Sequence, residues 1–86
     1  MSECEEMHKE LMDMIEILNT TVEINARDEQ FYRRSAVAST NEVAKALFLE
    51  IANDVEQYLN KMRERRQRLR DALRDLEAAE KAGKKL

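Results

Sequence analysis

The chain has 86 residues, no proline, one glycine, one cysteine and one histidine, with a formal charge of −3. That length holds one domain at most, 43% apolar content argues against disorder, and a single cysteine excludes an internal disulfide. Charged residues reach 38% with no apolar run long enough to span a membrane, so long soluble helices are expected and a membrane partner is not.

The opening Glu3-Cys4-Glu5-Glu6 is acidic where a signal peptide is basic and then apolar, so a cytoplasmic protein is expected. From about residue 5 to 38 the apolar positions Met7, Leu11, Met14, Ile15, Leu18, Val22, Tyr32 and Ala36 recur at helical period, with Phe31 beside them. Asn25 and Glu29 interrupt that stripe. A buried Asn costs stability unless it is hydrogen-bonded, which singles out Asn25.

Residues 39–41 form the expected turn. Ser39 followed by Glu42 reads as a capping box, and Asn41 is an alternative cap. Helix two is expected over about 42–82, with Gly83 as its stop. Within it, Phe48, Ala52, Val55, Leu59 and Met62 make one continuous face. A three-residue turn folds the helices antiparallel, which sets position i near position 80 − i. Leu69, Leu73 and Leu76 continue the seam at near-heptad spacing, with Arg66 and Glu80 as poor core residues.

Charge is distributed unevenly. Residues 1–30 hold nine acids and two bases, and residues 61–86 hold five acids and ten bases. In a hairpin the acidic Glu3, Glu5, Glu6, Glu10, Asp13 and Glu16 are expected along the basic face Arg63, Arg65, Arg66, Arg70 and Arg74. Two helices do not enclose a core, so the expected fold is all-α. It is an antiparallel two-helix hairpin that dimerises into a four-helix bundle. The expected dimer core is Leu11, Leu18, Val22, Tyr32, Phe48, Ala52, Val55, Leu59 and Met62, with higher assembly left open.

Glu23-Ile24-Asn25-Ala26-Arg27-Asp28-Glu29-Gln30-Phe31-Tyr32 and Lys45-Ala46-Leu47-Phe48-Leu49-Glu50-Ile51-Ala52 resemble one half of a rubrerythrin. The resemblance covers about residues 11–63 and implies the ferritin-like superfamily. Half-length members of it, such as the encapsulated ferritins, build a dimetal bundle from two chains. It implies a metal-bridging Glu seven residues before Tyr32, where this chain has Asn25. It implies Glu-x-x-His after the Leu-Phe run, where this chain has Val55 and Tyr58. All three expected ligands are replaced.

Two divalent cations need hard anionic ligands. Val55 supplies none, Asn25 is neutral, and Tyr58 ligates only as a phenolate. Glu29 and Asp54 are weak alternative ligands, and Asp54 is turned about 100° off the stripe. The expectation is therefore a core without cofactor, filled by Val55, Tyr58, Tyr32 and Asn25. Iron or manganese is the alternative.

Three further features compete. Cys4 and His8, four apart, suit a metal, with Asp71 and Asp75 opposite. Residues 61–74 carry seven bases against two acids, which suits phosphates, but no aromatic residue interleaves them. Nucleic acid is thus a weaker expectation than salt bridging. The methionines at helical spacing read as core filler. There is no nucleophile–base pair and no glycine-rich phosphate loop. The expected function is a non-catalytic structural or interaction homodimer with a protein partner still to be identified. A residual ferroxidase- or peroxidase-like protein is the enzymatic alternative.

Overall fold

A computed structural model of the chain describes residues 3–84. Two α-helices, α1 (Glu3–Ala38) and α2 (Glu42–Lys84), fold into a hairpin, and no strand occurs among the described residues. The molecule is a rod of 68 × 17 × 13 Å. None of its helices is long and apolar enough to cross a membrane among the described residues.

The first turn of α1 carries Glu3, Glu5 and Glu6, where negative charge meets the positive end of the helix dipole. The helix begins two residues earlier than its apolar period suggests. It ends where Ser39 N–H donates to the carbonyls of Ser35 (3.0 Å) and Ala36 (3.3 Å).

Asn41, not Ser39, caps α2. Its Oδ1 accepts from the backbone N–H of Val43 at 2.9 Å and of Ala44 at 3.1 Å. The Ser39 hydroxyl instead ties the turn, accepting from Asn41 N–H and donating to the Asn41 carbonyl. A side-chain carbonyl two residues closer to the helix serves two orphan N–H groups at once. At the other end, Gly83 is not the stop that was expected. No glycine has positive φ, so the chain passes through residue 83 still helical.

The core is a narrow seam between the helices. Ile15, Val22 and Ala36 of α1 and Ala52, Leu59 and Met62 of α2 are its buried residues. Val22, Leu59 and Met62 form its centre, with Leu18, Ala26 and Val55 packed against them. Hydrogen bonds across the helices join His8 to Glu77, Asn19 to Arg66 and Arg33 to Asn53, numbers that sum to 85 or 86 rather than 80.

Candidate functional site

The two long flanks of the hairpin differ in chemistry. One is laced by polar side chains. Arg33 Nη2 donates to Glu29 Oε2 (3.1 Å), to Glu56 Oε2 (3.0 Å) and to Asn53 Oδ1 (3.4 Å). Asn19 Oδ1 accepts from Arg66 (3.1 Å) and Arg70 (3.3 Å). His8 Nε2 lies 3.3 Å from Glu77 Oε1.

The opposite flank is apolar and open. Met14 and Ile17 of α1 and Arg65, Arg68 and Leu69 of α2 line a shallow groove of about 460 Å³ there, with Leu18 as its floor. Spacings of three, four and seven carry the flank toward the turn. On α1 it runs Met14, Ile17, Ile24 and Phe31; on α2 it runs Leu47, Ile51, Tyr58 and Arg65. All seven apolar members are well exposed, Ile17 at 65% and Tyr58 at 45%. Exposed apolar side chains thus recur along this flank, with Asp28 and Asp54 between them.

Of the positions implied by the rubrerythrin resemblance, two are half-buried in the hairpin and one is exposed. Val55 packs against the Val22–Leu59–Met62 centre. Asn25 is half-buried and its Nδ2 donates to the Thr21 carbonyl at 2.8 Å, so its hydrogen-bonding need is met within its own helix. Tyr58 is 45% exposed in the single hairpin. It stands on the open flank, because 58 lies about 100° from the buried Leu59. Glu29 is the most sheltered carboxylate of the group, 19% exposed, and Arg33 holds it as an ion pair. Asp54 is exposed. Among the described residues no three His, Cys, Asp or Glu converge as a metal site would require.

Leu11, Leu18, Val22, Tyr32, Phe48, Ala52, Val55, Leu59 and Met62 all lie buried or half-buried. Among them Leu18, Val22, Val55, Leu59 and Met62 make the seam inside one hairpin, and Leu18 also lines the open groove. The Phe31 ring packs edge-on to Tyr32, 5.6 Å between centroids, and so carries the seam's aromatic side outward.

The basic residues are dispersed. Arg66 is half-buried against the seam, with its Nε buried and lacking a hydrogen-bond partner among the described residues. Arg66 and Arg70 reach Asn19, and Arg74 pairs with Asp71 at 2.9 Å within α2. Expected partners Glu10, Asp13 and Glu16 are not where these three arginines go. The carboxamide of Asn19 stands in for an acid at Arg66 and Arg70. Arg63 and Arg65 are exposed. Beside Cys4 and His8 the structure brings Glu77 to His8, while Asp71 is engaged by Gln67 and Arg74.

The open flank was missed in the sequence because its members alternate with polar residues. Ile17, Ile24 and Phe31 each sit next to the stronger seam stripe, and one broad apolar face conceals two. Comparison of the chain with protein-family models, with curated proteins and with solved structures found no match.

Proposed function

We propose that the chain is a non-catalytic helical module that works as a homodimer, structural or protein-binding in role. Two hairpins close into a four-helix bundle of the ferritin-like, rubrerythrin-like kind whose dimetal ligands are replaced by Asn25, Val55 and Tyr58. The open apolar flank carries this reading. Its seven large side chains lie exposed beside a seam with only six buried residues, too small a core for a stable chain of this size.

Area points the same way. The chain exposes 6695 Å². A compact monomer of its mass exposes about 5,300 Å². The excess of roughly 1,400 Å² exceeds the ~800 Å² that each partner buries in a standard interface.

Sedimentation equilibrium tests the proposal, with a dimer at twice the 10.1 kDa chain mass as the expected result. A monomer at all concentrations overturns it. Elemental analysis after aerobic loading with ferrous iron addresses the metal alternative. Stoichiometric iron, held by Glu29 and Asp54, would bring the oxidoreductase reading forward. The basic residues Arg63 and Arg65 keep a nucleic-acid reading in view, and a salt-sensitive mobility shift would support it.

A further inference from the structure

We infer that the groove between Met14, Ile17 and Leu69 receives one amphipathic helix of another protein, whose apolar side chains enter it and whose carboxylates meet Arg65 and Arg68. The inference rests on the protein-binding role proposed above and names the chemistry of the partner.

Each helix of the hairpin gives the groove one turn at the same spacing. Met14, Ile17 and Leu18 come from α1, and Arg65, Arg68 and Leu69 from α2. Residues three and four apart share a helical face, so the two turns make the sides of one apolar trough of about 460 Å³. A trough this shallow encloses too little of a small ligand, whose sites bury most of its surface. A helix is held in such a groove by apolar anchors three, four and seven residues apart.

The two sides carry opposite charge. Arg65 and Arg68 stand exposed on the α2 side and take part in no ion pair among the described residues. On the α1 side Ile17 also borders a shallow depression lined by Asp13 and Glu16, both exposed. Phosphates of a nucleic acid or a lipid surface laid over the groove meet those carboxylates along with the arginines, so neither fits. A helix fits both sides at once, with glutamates on the edge toward α2 and lysines on the edge toward α1. Nearer the turn the flank carries Asp28 and Asp54, which repel an acidic edge and confine the helix to the far end. The half with Ile24, Phe31, Leu47 and Tyr58 is left for a second copy.

A labelled synthetic helix of about 14 residues tests this, with leucines at i, i+3 and i+7, glutamates along one edge and lysines along the other. Fluorescence anisotropy with the full chain is expected to show saturable binding. Arg65→Glu with Arg68→Glu is expected to weaken it roughly tenfold, and a peptide with lysines in place of its glutamates to recover binding to that variant. Ile17→Ser, at a position 65% exposed, should weaken binding with helicity by circular dichroism unchanged. No saturable binding overturns the inference, and so does an affinity indifferent to the charge reversal. Sedimentation of chain and peptide together separates this from the homodimer. A peptide that binds only by splitting a dimer puts the second copy in the groove and overturns the inference. A chain that is monomeric throughout and still binds the peptide removes the homodimer and supports the inference.

Discussion

Leu59 and Tyr58 are neighbours in sequence with opposite duties. Leu59 is completely buried and Tyr58 is nearly half exposed. Leu59→Ala empties the centre of the seam and should cost about 2–5 kcal/mol in urea unfolding at any protein concentration. Tyr58→Ala should leave the seam intact and act through association, so its effect should fade on dilution. At the turn, Asn41→Ala removes the acceptor for two N–H groups and should cost about 1 kcal/mol, whereas Ser39→Ala should cost less. Equal losses would mean that the turn, not the helix cap, limits stability.

Each helix carries two stripes rather than one. The inner stripe binds α1 to α2; the outer stripe of each helix joins the other's to form the open flank. The polar flank is the complement, and Arg33 is its centre, bridging Glu29 of its own helix to Glu56 of the other. These pairs are largely exposed, with side chains 39% and 52% accessible for Arg33 and Glu56. Arg33→Ala should therefore cost only about 0.5–1 kcal/mol, and less in high salt, by thermal unfolding at two ionic strengths. A larger, salt-independent loss would place its weight in packing of the alkyl stem over the seam. Val55→Asp works on the inner stripe. It sets a carboxylate against Val22, Leu59 and Met62, and should lower the melting temperature in chelator at neutral pH.

The proposed homodimer would cover the open side of a rod 68 Å long. On that proposal the melting temperature of the wild-type chain should rise with protein concentration, as mass action requires of a dimer. Concentration independence over two decades would contradict it. Amide exchange should be fastest in roughly the first ten residues of α1 and the last dozen of α2, which hold none of the buried residues, and slowest around Val22 and Leu59.

The hairpin was legible in the sequence because local terms decide it. Unbroken helix formers, an apolar period and one capped interruption at 39–41 leave two long antiparallel helices and little else. What the sequence could not settle was level and rotation. Arg66 and Arg70 reach Asn19 instead of acids, and one residue's turn of about 100° leaves Tyr58 exposed in the hairpin that buries Leu59. Those are consequences of how two helical surfaces interlock, which depends on side-chain volume along the whole seam. Only the folded hairpin separated the inner stripe from the outer one, and with it the side on which a second chain is to be sought.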